Sequence, residues 1–393
     1  MQNLSLQIPM TKEVEKPEMI AGETVLEINL EAVKHNFHYL KSKIAPNIQF
    51  MAVVKANSYG SDASEIALEL EKEGADYFAV AYSSEGEILR KAGIKKPILV
   101  LHPLLANFDI IRDNNLEPAL YSKKILNAFL EFLKIHKLSD YPVHLKINTG
   151  LNRLGFEPEE IADVAEGIAK AKEMRVSSIF SHLVASEDDK ETDFTRNQIR
   201  MFEKAGKVIF EKLGYTPLLH CTNTSAIIRY PEARFDMVRS GIGLYGYTYD
   251  PAENKNLAPV ATLKTVISQL HNIKTGESVG YNRGFIAEKP TKSATLPIGH
   301  ADGFLRAFGK GKGWVIINGK KAKVLGNVCM DMVMVDVTDI ECKEGDEVLV
   351  FGAGAPADEL AAAIDTISYE LLTGISSRVK RITVKNRIYS YKY

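Results

Sequence analysis

MAVVKANSYG, residues 51–60, sets one lysine, Lys55, directly behind a run of small and β-branched apolar residues. Such a run belongs in a buried strand. A charge immediately behind it raises the question of what waits where the strand ends. Outward from this stretch the same grammar repeats: IQFMAVV, YFAVA, PILVL, LEPALY, VHLKIN, VSSIFSH, TPLLHC and FDMVRS are short apolar runs. Between them lie segments such as KKILNAFLEFLKIH and TDFTRNQIRMFEKAGKVIFEKL, whose apolar residues recur at i, i+3 and i+4. Regular β-α alternation implies a parallel sheet, and eight units imply a closed (β/α)8 TIM-like barrel. An open doubly wound sheet is the alternative, but no GxGxxG follows the first strand.

Upstream, TVLEINLEAVKHNFHYLKSKI reads as a strand entering a helix, and residues 1–22 read as a loose, charged tail. Downstream of about residue 256 the pattern changes to short Val- and Ile-rich runs between Gly, Asn and Asp turns, a mostly antiparallel β domain. One helix is expected near 357–372 and a last strand near 382–390. The division expected is therefore tail 1–22, barrel 23–255 and β domain 256–393, with the boundary in YTYDPAENKNLAP.

Composition narrows the function. With 45% hydrophobic and 25% charged residues among 393, the chain is globular, and its formal net charge of −1 disfavours nucleic acid or a membrane surface as partner. No apolar run approaches the ~20 residues of a membrane span, and the start lacks a secretory signal's pattern, so a cytoplasmic location is expected. The three cysteines fit free thiols, and the absence of CxxC and HExxH argues against a metal site.

In barrels of this kind the chemistry sits at the C-terminal ends of the strands. Lys55 and Tyr59 follow the first run, Lys146 ends the fifth with Asn148 and Arg153 beyond it, and His182 ends the sixth. His220 and then Asn223, Thr224 and Ser225 follow the seventh, while Arg239, Gly241 and Ile242 follow the eighth. Singly, each has a plainer reading: a strand-end lysine is usually solvated, a buried histidine usually structural, an arginine an ion-pair partner. Together they respect strand boundaries, which scattered surface residues would not. A lysine desolvated in a pocket has a depressed pKa and a nucleophilic amine able to form a Schiff base. Hydroxyls and glycine-exposed N–H groups after the last two strands suit a phosphate. An amine with a phosphate cradle points to pyridoxal 5'-phosphate.

Six motifs in order, AVVKANSYG, LKINTGLNRLGF, FDMVRSGIGLYG, SVGYNRGF, LPIGHADG and GNVCMDMVMVD, resemble those of the alanine racemases from about residue 23 to the C-terminus. The resemblance implies a pyridoxal-phosphate enzyme that interconverts L- and D-alanine with two bases, supplying D-alanine for peptidoglycan. Lys55 would carry the cofactor and be one base, serving the D enantiomer. Tyr281, reaching in from the β domain of a second copy in a head-to-tail homodimer, would be the other, serving the L enantiomer. It further implies that Arg239 faces the ring nitrogen with His182 orienting it, that Arg153 lies near the cofactor and substrate, and that Met330 and Asp331 serve the substrate. Lys146 matches a position carbamylated in some members.

The chain departs from the family pattern at His300, where a tyrosine is usual at the substrate entrance, and at Ser377, where a phosphate-binding tyrosine is usual. Ser61 and Asp62 replace a frequent His-Gly. The alternatives are a racemase of broader range, for example on serine, a decarboxylase of the same fold, and a non-catalytic pyridoxal-phosphate carrier. Arg239 in place of a carboxylate weighs against the decarboxylase, and residues 256–393 weigh against the carrier.

Overall fold

The computed structural model describes residues 24–384, so the tail and the end of the last expected strand lie outside the described residues. Strand β1, Val25–Asn29, runs into helix α1, Leu30–Ser42. The Asn29 side chain caps that helix by accepting from the Ala32 N–H, and Leu30, Val33, Phe37 and Leu40 form its buried face.

The eight apolar runs are all strands: β2 Gln49–Val53, β3 Tyr77–Val80, β4 Ile98–Val100, β5 Glu117–Leu120, β6 Tyr141–Lys146, β7 Met174–Phe180, β8 Leu218–His220 and β9 Met237–Ser240. They form one eight-stranded sheet in the order β8-β7-β6-β5-β4-β3-β2-β9, and every ladder is parallel. Alternate residues face opposite sides. Met51, Tyr77, Ala79, Leu99, Ala119, Phe180 and Met237 cluster in the lumen, while their neighbours in sequence pack outward with the helices. The barrel is nearly closed. At the β8/β9 seam the ladder is replaced by a few bonds: Asp236 N–H donates to the Leu219 carbonyl at 3.2 Å, and Leu219 N–H donates to the Asp236 carboxylate at 2.8 Å.

The second sheet has nine strands. Although β1 precedes the barrel in sequence, it lies in this sheet, antiparallel to β10, Ala261–Val266, and parallel to Lys380–Val384. The helix expected near 357–372 is two short ones, Ala357–Ala362 and Ser368–Thr373. Between them Asp365 takes φ of 57°, which an α-helix cannot continue through.

Candidate active site

The backbone behind Lys55 is unusual. Ala56, Asn57, Ser58 and Tyr59 have φ of 53°, 51°, 51° and 52°, a complete left-handed turn. Left-handed geometry costs about 1–2 kcal/mol per non-glycine residue, so the surroundings must impose it. Glu85 accepts from the Ala56 N–H at 2.6 Å, and the Asn57 carboxamide bonds Ala63 N–H and the Ser61 carbonyl at 3.0 Å each. Tyr59 is buried and stacks on Tyr245 at 4.4 Å. Asp62 caps the next helix by accepting from Ser64 and Glu65, which gives that departure from the family motif a local structural use. Gly60, at φ 82°, meets the second domain: a Cβ there would lie 2.0 Å from the Leu372 carbonyl oxygen.

All ten cofactor-site candidates of the barrel line one cavity of about 680 Å³ at the C-terminal ends of the strands. Lys55 and Tyr59 enter from the turn after β2, Arg153 from the loop after β6 and His182 from just beyond β7. Asn223, Thr224 and Ser225 open the helix after β8, and Arg239, Gly241 and Ile242 come from β9 and the turn behind it. Lys146 lines the same space.

The electrostatics are lopsided. Lys55, Lys146, Arg153 and Arg239 share the cavity, and none makes a salt bridge among the described residues. Burial, with Arg153 adding repulsion, lowers the Lys55 amine below its usual value. Burial and the charges of Arg239, Arg153 and Lys55 push Lys146 from 10.5 down to about 7. Arg239, lowered by burial to about 10, keeps its proton at neutral pH. Burial first and Arg239 second hold His182 and His220 far below the usual histidine range, so both are neutral. Grouped cations without carboxylate partners want an anion.

One end of the cavity suits a phosphate. The N–H groups of Gly241 and Ile242 donate to no described backbone or side-chain acceptor, and a Cβ on Gly241 would lie 2.1 Å from the Tyr59 hydroxyl. Thr224 Oγ1 accepts from Gly243 N–H at 3.2 Å and contacts Ser240 Oγ at 3.0 Å, and Asn223 caps its helix through the Ala226 N–H. The Ser225 hydroxyl makes none of the described hydrogen bonds.

The β-domain candidates lie elsewhere. Tyr281, Met330 and Asp331 are exposed, Tyr281 at 75%, as is His300, and none lines the barrel cavity of the same chain. They nevertheless share one surface. His300 and Ala301 N–H groups donate to the Cys329 and Met330 carbonyls at 3.0 Å, and Asn327 donates to the Tyr281 carbonyl at 3.0 Å. Arg378 ties this surface together through Asp302 and Asp331, each at 2.6 Å. Ser377 is exposed and away from the cavity, whereas Tyr369 and Tyr249 line it beside Tyr59, a pair the sequence reading missed.

His220, expected among the strand-end residues of the site, does not line the cavity but backs Arg239. Its Nδ1 accepts from Arg239 Nη1 at 2.7 Å, against 3.4 Å between Arg239 Nη2 and His182 Nδ1.

Comparison with known proteins gives one answer. The family description "Alanine racemase, N-terminal domain" matches residues 28–249, and "Alanine racemase, C-terminal domain" matches 260–383. The alanine racemase of Carboxydothermus hydrogenoformans is 38% identical over 367 residues, 91% of this chain and 98% of that protein. Among solved structures, the alanine racemase of Clostridium difficile 630 superposes with a TM-score of 0.86 at 33% identity, covering 94% of this chain and 97% of that one. That of Bacillus anthracis with bound L-Ala-P gives 0.85 at 28% identity, covering 93% and 96%.

Proposed function

The chain belongs to the alanine racemase family and interconverts L- and D-alanine, and on that premise we propose that it does so with pyridoxal 5'-phosphate held by Lys55 and with Lys55 and Tyr281 as opposing bases. The observation that carries the cofactor reading is the cavity with four cations, none with a carboxylate partner among the described residues, and a hydroxyl- and N–H-lined end. Its chemistry fits a dianionic phosphate, an aldehyde and a substrate carboxylate. When bound there, pyridoxal phosphate supplies an electron sink that acidifies the substrate Cα–H.

The chain's own residues then divide the work. Gly241 and Ile242 N–H groups, with Tyr59 and Thr224 or Ser225, hold the phosphate. Arg239 keeps its proton and so would offer the ring nitrogen a hydrogen bond without protonating it, while Arg153, on the same cavity, would serve the substrate. Lys55, whose amine burial lowers below its usual value, would hold the aldehyde and would move a proton at Cα on one face. A proton removed from one face and returned to the other needs a second base. Tyr281 of the partner subunit takes that role, with Met330, Asp331 and His300 of the same β domain facing the substrate. Residues 256–393 thus complete the site formed by 23–255 in another copy, and the working unit is a homodimer. A cytoplasmic enzyme supplying D-alanine for peptidoglycan is the setting this implies.

Incubating the purified protein with pyridoxal phosphate and L-alanine, then separating enantiomers, tests the reading. Wild type forms D-alanine and carries the visible absorbance of bound cofactor, and Lys55→Ala loses both. A Lys55→Ala protein that keeps the covalent absorbance overturns the assignment.

A further inference from the structure

Arg239 is a buried cation without a directly bonded carboxylate among the described residues. Its described side-chain partners are the Ser181, His220 and Cys221 carbonyls and two neutral histidines. A buried charge in such surroundings is costly unless something compensates it. One path leads to an opposite charge. His220 Nδ1 lies 2.7 Å from Arg239 Nη1, His220 Nε2 lies 2.7 Å from Ser178 Oγ, Ser178 Oγ lies 2.5 Å from His144 Nδ1, and His144 Nε2 lies 2.7 Å from Glu117 Oε2.

We infer that Glu117 is the remote counter-charge of Arg239, coupled to it by this four-bond chain, in which every donor points from the arginine toward the carboxylate. The inference rests on the reading that Arg239 faces the cofactor's ring nitrogen, and it adds positioning residues that tune that contact from the opposite end of the barrel.

The direction follows from donor and acceptor inventory. An arginine can only donate, so His220 Nδ1 accepts and its proton sits on Nε2. That proton goes to Ser178 Oγ. An ionised carboxylate can only accept, so His144 carries its proton on Nε2 and accepts the Ser178 hydroxyl at Nδ1. Burial would raise the Glu117 carboxyl, but His144, Tyr77 and Arg175 outweigh it and hold the group below its usual value, hence ionised. Tyr77 adds a second donor to Glu117 Oε2 at 2.8 Å.

The architecture explains why such a chain exists here. Glu117, His144, Ser178, His220 and Arg239 come one from each of five consecutive strands, β5 to β9. Glu117 opens its strand, and His220 ends β8 next to the site, so the chain climbs the lumen from one end of the barrel to the other. Its last bond crosses the β8/β9 seam, where no ladder joins the strands. Phe180 stacks on His220 at 5.3 Å and 6°, fixing the ring plane. Hydrogen bonds aligned head to tail polarise one another in the same sense. The carboxylate therefore offsets part of the guanidinium charge and weakens Arg239 as a donor toward the ring nitrogen.

The test uses holoenzyme loaded with pyridoxal phosphate labelled with 15N in the ring, and 15N-labelled histidines. In wild type the His220 and His144 rings are expected to carry a proton at Nε2 and none at Nδ1. In Glu117→Gln and Ser178→Ala the ring-nitrogen resonance moves in one direction, toward that of a protonated pyridine, while Ser178→Thr restores it. An Nδ1–H tautomer at either histidine overturns the inference, as does an unmoved ring resonance in folded Ser178→Ala. If wild type fails to bind the cofactor, the proposed function fails instead, and the histidine tautomers of the protein alone still decide the chain. If Glu117→Gln does not fold, the serine pair carries the comparison.

Discussion

The ammonium of Lys146 sits 4.7 Å from the centre of the Phe180 ring, with three further cations around it and no carboxylate partner among the described residues. Its pKa is pushed down from 10.5 to about 7 in the folded protein, burial being the largest cause. Between those values the unfolded chain binds the extra proton, so stability rises as pH goes from about 7 toward 10.5 and is lowest below 7. Cofactor-free wild type should gain thermal stability from pH 6.5 to 9, and Lys146→Met should be more stable at pH 6.5 by ~1–4 kcal/mol and lose the gain. Thermal scans without cofactor measure both, and a flat wild-type profile would count against the buried-amine account.

Gly60→Ala should damage the Lys55 turn. The position has φ 82° and leaves only 2.0 Å between a Cβ and the Leu372 carbonyl oxygen. Backbone strain of about 1–2 kcal/mol and overpacking of about 1–3 kcal/mol give an expected loss of roughly 2–5 kcal/mol in denaturant titrations. Gly74 makes the control: its φ is 97° but a Cβ meets nothing within 4 Å, so Gly74→Ala should show the backbone part alone. Equal losses at both positions would remove the close contact from the explanation.

His220 should matter more than His182 for Arg239. Its contact is 2.7 Å against 3.4 Å. Losing a hydrogen bond to a charged group costs ~1.5–3 kcal/mol, so His220→Leu should lower kcat/KM about 10- to 100-fold and His182→Leu less. Steady-state kinetics in both directions measures this. The reverse order would mean the guanidinium is held from the His182 side.

Tyr281 and Lys55 should complement each other across subunits. Tyr281→Phe should slow deuterium exchange at Cα most from L-alanine. Mixing inactive Lys55→Ala with inactive Tyr281→Phe, after dissociation and reassociation, should restore activity through hybrid dimers with one intact site. Mixtures no more active than their parents would argue that each site is built from one chain.

The barrel was legible in the sequence because each strand is a short β-branched run whose end is marked by a polar side chain, as in VHLKIN and FDMVRS. The cofactor candidates were legible for the same reason, since strand ends are where the fold delivers residues. The lumen chain was not, because Glu117 opens its strand and His144 and Ser178 lie inside theirs, none of them at the C-terminal end where the fold delivers site residues. Their signal was the period of two: His144 precedes Lys146 by two residues and Ser178 so precedes Phe180, which puts each on the inward face. That reading needs the inward face to be known first. The membership of β1 in the second sheet was hidden for another reason. Its partners, Lys264 and Lys380 opposite Val25, are hundreds of residues away, and no local pattern announces so distant a pairing.

Arg381 donates to the Gly60 carbonyl at 3.0 Å, from 321 residues further along the chain. The same guanidinium binds the Ile375 carbonyl at 2.8 Å, so the C-terminal segment clasps the turn that carries Lys55. During synthesis at roughly 5–20 residues per second, that turn waits on the order of tens of seconds for its clasp. A nascent chain therefore holds the Lys55 turn without this contact until residue 381 has been made.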